Sequence, residues 1–491
     1  MLHKKIKLFV PGGRLATDDF AHLIELCKLV GVNHFQFGRR QEIIIRLARE
    51  RVSHFERSIK GFSYEIEGED GYEQHNVVSS FLTDGICPST YWMRGGIILD
   101  ILDHINWNPS IRVNITDLKQ DLVFSFYGDV NFIPSDQVNF WHVYLRNRKG
   151  GDLFYFPFLI HSDDIHRLVA DYEIVHKDTN LSIEEKTRIL HERLQSRLTP
   201  TTLGPQNQVS EFHTYEGLHP YGNENYWLGI YKRETKFQFS ELEAIVSLCK
   251  QHMIGYVNIT PWKSLLIKGI NNENLTDWKL LLAQNGINVG HSQAELNWQI
   301  NDFDDDAHEL KAYIRKEFAT HDIASTGAII GINNDKQYSF SHIIIEKTPL
   351  LKLFGSNEVS TYTVYVRKEF NPTYNEFQVF KKWVTKSGLV DVLQKAFKLY
   401  YEKAYKEFAT FTTKPLIVEK ERVMNAKIIN EVVHQCKSCG TVYFPEIGDL
   451  DQNIVPGTNF QALPESYCCS VCESPKKAFI AVNKKDLAFV S

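Results

Sequence analysis

Phe35-Gln-Phe-Gly-Arg-Arg-Gln-Glu-Ile-Ile-Ile45 and Tyr256-Val-Asn-Ile-Thr-Pro-Trp-Lys-Ser-Leu-Leu-Ile267 are the two stretches that decide the fold of most of this chain. Both alternate apolar and polar residues as half-buried strands do, and both follow a run with apolar residues at helical spacing, 18–30 and 240–252. A gapless shift of 222 residues superposes Phe20, Leu23, Leu26, Cys27 and Lys28 on Leu242, Ile245, Leu248, Cys249 and Lys250, then Ile43 and Ile45 on Leu265 and Ile267. A register kept over about 30 positions reads as an internal duplication.

Working outward, each copy is followed by a mixed segment, 70–215 and 291–385, with strand-like runs such as His342-Ile-Ile-Ile345 and Ser360–Val366, expected to form α/β layers. Leu389, Leu393, Ala396, Phe397, Tyr400, Tyr401, Ala404 and Phe408 share one face of an expected long amphipathic helix after Gly388. Polar residues 411–430, with Pro415, read as a linker. The class is therefore α+β, with boundaries expected at 1–69, 70–215, 216–290, 291–410, 411–430 and 431–491.

The 491 residues carry 55 basic and 60 acidic side chains, net −5, without a long basic run, so neither nucleic acid nor a membrane is an expected partner. The short apolar stretch before Pro11-Gly12-Gly13 does not read as a signal peptide, and no run is long enough to span a bilayer. A cytoplasmic location is expected. Of eight cysteines, five lie between 436 and 472, while Cys27, Cys87 and Cys249 are scattered, unlike a disulfide framework.

Cys436-x2-Cys439 and Cys469-x2-Cys472, with 29 residues between them, offer two pairs of thiolates able to make one tetrahedral site for iron or zinc. Ligand count does not separate the two metals. Around them stand Gly440, Tyr443, Gly448-Asp449, Pro456-Gly457-Thr458, Phe460, Leu463-Pro464, Tyr467, Lys476 and Phe479, a pattern that resembles rubredoxin throughout the module. The resemblance implies a single iron, one-electron transfer, a shielding aromatic core and a redox partner such as a flavin-dependent reductase. Ser470, Tyr467, Thr441 and Glu473 depart from the family's proline, tryptophan, tyrosine and glycine, and Cys468 reads as a buried spare thiol.

The duplicated unit, with Gly38-Arg39-Arg40-Gln41 and Thr260-Pro261-Trp262-Lys263, resembles the ferredoxin-like half domains of sirohaem-dependent nitrite and sulfite reductases over about 1–385. That resemblance makes Arg40 and Lys119 candidate contacts for tetrapyrrole carboxylates, with Arg146, Arg148 and Lys149 behind them, and His104, His142, His161 or His166 as an axial ligand. Residues 291–385 hold no cysteine, where the family has its cluster ligands, so no four-iron cluster is expected. The primary expectation is electron transfer from a degenerate reductase scaffold. The alternatives are a sirohaem reductase with rubredoxin as its electron entry, and a zinc-binding interaction protein.

Overall fold

The computed structural model describes residues 3–59, 61–66, 76–84, 86, 92–117, 127–146, 153–194, 197–201, 215–222, 224–291, 298–302, 304–325, 327–336, 339–352, 358–370, 376–413, 432–438, 441–445, 448–449, 452, 454–455, 457–470, 472 and 474–483. The chain forms two compact units, Met1–Lys403 and Ala404–Ser491.

In the first unit, each copy of the repeat builds a five-stranded antiparallel sheet. One runs Phe237–Gln238, His34–Phe37, Ile43–Ala48, His3–Leu8, Tyr64–Ile66; the other runs Gly217–Tyr221, Asn225–Tyr231, Ser264–Asn271, Tyr256–Ile259, Arg14–Ala16. Each sheet thus ends on a strand lent by the other copy. Arg14–Ala16 pairs with Tyr256–Asn258, and Phe237–Gln238 pairs with His34–Phe35. The lent strands lead straight into helices Thr17–Leu29 and Phe239–Gln251, which pack together.

The 222-residue displacement holds residue for residue: it carries helix onto helix and His34–Phe37 onto Tyr256–Ile259. It also carries the left-handed residues Gly13, Gly31 and Gln41 onto Thr235, Met253 and Lys263. Behind the helices the same cap recurs, with Val32 N–H donating to Cys27 O at 3.0 Å and Ile254 N–H to Cys249 O at 2.8 Å. Phe20, Leu23 and Cys27 from one helix and Leu242, Ile245 and Cys249 from the other share a single core. Burial pushes both thiols up to about 12, so they pack as apolar groups rather than act as nucleophiles.

The two mixed segments repeat as well. Strands Val77–Ser79, Val113–Ile115 and Val130–Pro134 are parallel and continue antiparallel through Phe140–Arg146, Leu153–His161 and Leu198–Pro200. Trp298–Ile300, Ile330–Ile332 and Ile343–Lys352 are likewise parallel, then antiparallel through Glu358–Arg367 and Phe377–Val384. At equivalent strand ends sit two buried arginines: Arg146 Nε donates to Gly128 O at 3.3 Å and Arg367 Nε to Ser341 O at 2.8 Å. The sheets and layers meet in an aromatic seam where the Tyr127 and Phe340 rings lie 5.0 Å apart, with Trp262 5.6 Å from Phe340.

Helix Leu389–Thr413 buries Leu389, Leu393, Ala396 and Phe397 in the second layer. The face is narrower than expected: Tyr400 is half-buried, its hydroxyl donating to Gly327 O at 2.9 Å, while Tyr401 is exposed. Adjacent helical residues point about 100° apart, so both cannot face the core. The side chains of Ala404 and Phe408 lie outside the described residues. No helix among the described residues is long and apolar enough to cross a membrane.

Phe35 is fully buried, stacked on Phe20 of its own copy and edge-on to Phe239 of the other at 4.7 Å. Phe35→Ala is expected to cost about 3–5 kcal/mol in urea unfolding followed by far-UV circular dichroism. His342 is buried, its Nδ1 accepting from Ile329 N–H at 3.0 Å, and burial with the nearby Arg367 charge pushes it from its ordinary 6.5 down to about 3. The unfolded chain therefore takes up a proton that the fold refuses. Its stabilising share is complete above about pH 6.5 and drains away as the pH falls toward 3. Urea midpoints are expected to fall between pH 7 and 4, and to fall less in His342→Gln.

Candidate metal centre

In the second unit, strand Val432–Cys436 pairs on one side with Val442–Tyr443 and on the other with Phe479–Asn483, all antiparallel. Cys436 closes the central strand. Its N–H donates to Thr441 O at 2.8 Å, and Cys469 N–H donates to Ser474 O, also at 2.8 Å. The same backbone bond, from the first cysteine of each pair to the carbonyl five residues on, thus recurs at both.

The sulfurs of Cys436, Cys469 and Cys472 all lie within 4.8 Å of one another, and Cys436 Sγ and Cys472 Sγ are 3.7 Å apart. A metal about 2.3 Å from each of four tetrahedral sulfurs sets sulfur-sulfur edges of about 3.8 Å. The three described thiols therefore fit a tetrahedral thiolate site. Cys439 and Gly440 lie outside the described residues. Cys468 is half-buried rather than buried, because it faces Gln452, with Sγ 3.7 Å from Oε1, and it stands apart from the cluster.

Tyr443, Phe460, Leu463, Tyr467 and Phe479 form the small core expected from the sequence, with Cys436 and Cys469 buried against it. Tyr443 Oη donates to Thr458 O at 2.8 Å and Tyr467 Oη to Asp449 Oδ2 at 2.9 Å. Burial and the Asp449 carboxylate raise the Tyr467 hydroxyl well above its ordinary value, keeping it a donor. His434 stacks on Phe460 with ring centroids 4.0 Å apart, a contact the sequence reading missed. Cys472 lies on the exposed side, its Sγ 3.2 Å from Ser474 Oγ, which donates to Ser438 Oγ at 2.9 Å.

A rubredoxin family model matches residues 433–479. The module is 43% identical over 53 residues to the rubredoxin of Synechocystis sp., which covers 11% of this chain and 46% of that protein. Against Rubredoxin-2 of Chlorobaculum tepidum it is 42% identical over 48 residues, 10% of this chain and 92% of that protein. The chain belongs to the rubredoxin family through this module. It spans less than half the length of the Synechocystis relative. Over most of its length the chain is similar in fold to the NirA protein of Mycobacterium tuberculosis, with a TM-score of 0.63, 14% identity and 80% of each chain covered. That likeness is one of fold alone.

The seam of this NirA-like region holds a cavity of about 180 Å³ lined by Arg39, Arg40, Arg112, Tyr127, Asn334 and Asp335 among others. Arg40, the candidate tetrapyrrole contact, lines this cavity. Its guanidinium is nonetheless spent largely on the protein: Nη1 donates to Asn114 Oδ1 at 3.1 Å, and Nη2 to Asn76 O at 2.8 Å and Val113 O at 3.0 Å. Burial holds its pKa below the ordinary arginine value. Lys119, Arg148, Lys149 and Cys87 lie outside the described residues. Arg146 is enclosed in its own layer and does not line the cavity. Nor do the four candidate histidines: His104 stacks on His166 at 5.3 Å, His142 Nδ1 lies 2.8 Å from Tyr155 Oη, and His161 lies 3.5 Å from Asp163. Arg39 and Arg112 were not singled out from sequence, although the Arg39-Arg40 doublet pointed to the first.

A module this small draws much of its stability from its metal. Removing the metal with acid and chelator is expected to abolish amide exchange protection over 432–436 and 479–483, with re-addition of ferrous iron restoring it, as read by hydrogen exchange.

Proposed function

We propose that the chain is a one-electron carrier, with Cys436, Cys439, Cys469 and Cys472 holding a mononuclear iron and the NirA-like region serving as a scaffold without its own catalytic centre. The observation that carries the proposal is the tetrahedral-edge spacing of the described thiols inside a rubredoxin module. Held by four thiolates, a single iron supplies reversible one-electron chemistry. The protein does the rest. Tyr443, Phe460, Leu463 and Phe479 keep water from the buried sulfurs of Cys436 and Cys469. The exposed Cys472 is the edge through which an electron enters and leaves. A flavin-dependent reductase is the proposed donor.

Two observations support a scaffold role for the first unit. No cysteine occurs in 291–385, so that segment supplies no ligand for a cluster. A cavity of about 180 Å³ falls below the roughly 300–1,000 Å³ of sites for drug-sized ligands, and a tetrapyrrole with eight carboxylates is larger still. The reading in which rubredoxin feeds a reductase in the same chain has one argument of its own: a tether keeps the module at high effective concentration beside its neighbour.

Visible spectra of aerobically purified protein before and after dithionite, with iron and zinc quantified, test this. Thiolate-to-iron bands that bleach on reduction without a Soret band are expected. A Soret band would favour the reductase, and a colourless zinc protein would overturn electron transfer. Cys436→Ser and Cys469→Ser are each expected to lose the bands or shift them strongly.

A further inference from the structure

We propose that Ser474 and Ser438 form a hydroxyl relay that raises the reduction potential of the thiolate site, Ser474 Oγ–H donating to the Cys472 sulfur and Ser438 Oγ–H donating in turn to Ser474 Oγ. The inference rests on the iron-carrier reading above. Cys472 Sγ lies 3.2 Å from Ser474 Oγ, and Ser474 Oγ lies 2.9 Å from Ser438 Oγ. With the thiol protonated, Cys472 can donate and the chain of bonds runs outward to Ser438. A sulfur bound to metal has given up that proton and only accepts, so the chain then runs the other way. Hydroxyls can make that turn because their O–H rotates about the C–O bond.

The two serines come from opposite cysteine pairs. Ser438 lies between Cys436 and Cys439, and Ser474 follows Cys472 by two residues. Both stretches are held by backbone bonds: Lys437 N–H donates to Ala478 O at 3.0 Å, and Ser474 O accepts from Cys469 N–H at 2.8 Å. Cys468 and Pro475 form a further antiparallel bridge beside Ser474. The backbone thus fixes both oxygens, and little ordering is left to lose when the hydroxyl turns to sulfur. Ser474 is half-buried and Ser438 exposed, so the donor nearer the sulfur is also the better shielded from water.

The effect follows from charge. Four thiolates leave one net negative charge around ferric iron and two around ferrous iron. A donor aimed at sulfur therefore stabilises the reduced state more than the oxidised state, which raises the potential. Ser438 polarises that donor by bonding to its oxygen, so the two hydroxyls act as a unit. One electron comes from the flavin-dependent reductase proposed above; no bond forms or breaks, and the hydroxyl proton stays on Ser474 Oγ. Neither serine was singled out from the sequence, where cysteine spacing marks the ligands and not the groups that bond to them.

The test is a potentiometric titration of the iron-loaded full chain, followed at the thiolate-to-iron bands, with iron content and Tm measured on every variant. At a fixed ambient potential, Ser474→Val is expected to lower the reduced-to-oxidised ratio about three- to tenfold, on the order of 30–60 mV at 59 mV per tenfold for one electron. Ser474→Ala should lower it less, because water can reach the uncovered sulfur and donate in place of the hydroxyl. Ser474→Thr keeps the hydroxyl and should keep the wild-type potential. Ser438→Ala should lower the potential of the wild type and leave that of Ser474→Val where it is. An unchanged or raised potential in iron-loaded Ser474→Val, or a Ser438→Ala shift of equal size in both backgrounds, would overturn the relay and leave the carrier reading intact. A wild-type chain without iron bands would overturn both.

Discussion

The buried amide of Gln41 ties the first unit together. It sits in the left-handed region at φ +63°, at the tip of a turn closed by Gly38 N–H to Glu42 O at 2.9 Å. Its Nε2 donates to Ser79 O at 3.2 Å and Ile259 O at 3.0 Å, and its Oε1 accepts from Ser79 N–H at 2.9 Å. One side chain thus joins the first repeat, the second repeat and the first layer, using donor and acceptor capacity that would be costly to leave unmet in a buried place. Gly13 lies against the same amide, where a Cβ would come within 2.6 Å of Gln41 Nε2 and 2.4 Å of Ile259 O. At the matching position of the second copy, Lys263 also has positive φ but reaches Asp302, and that pair is buried. The Lys263 charge, helped by those of Lys7 and Arg39, holds the Asp302 carboxyl down to about 2. The two copies keep the backbone and differ in the chemistry hung on it.

The repeat register was legible because helix and strand periodicity survive divergence: Phe20, Leu23 and Cys27 face the core as Leu242, Ile245 and Cys249 do. The exchange of edge strands was not. Arg14–Ala16 and Phe237–Gln238 are three and two residues long, too short for any alternation to register. The duplication of the α/β layers was hidden for a related reason. Their parallel strands are mostly three residues long and their connections differ in length, so no fixed shift superposes them. The metal centre was legible because thiolate spacing points directly to a metal-ligand set, and the aromatic residues around it form the core that the resemblance to rubredoxin implied.

Arg40 marks the limit of such reading. The Arg-Gln pair singled it out by resemblance as a tetrapyrrole contact, yet its partners are carbonyls of Asn76 and Val113 and the amide of Asn114, far along the chain. Whether an arginine is a ligand-binding group or a structural one depends on such carbonyls, which leave no trace in the local sequence. Arg146 and Arg367 make the same point twice, each satisfied within its own layer.

The reciprocal loan of edge strands also bears on how the product can be cut. A half taken alone would lack the strand that completes its sheet. Conversely, a protease nick between the halves would yield two fragments that still complete each other's sheets and travel as one particle under native conditions. Only denaturation would reveal the break.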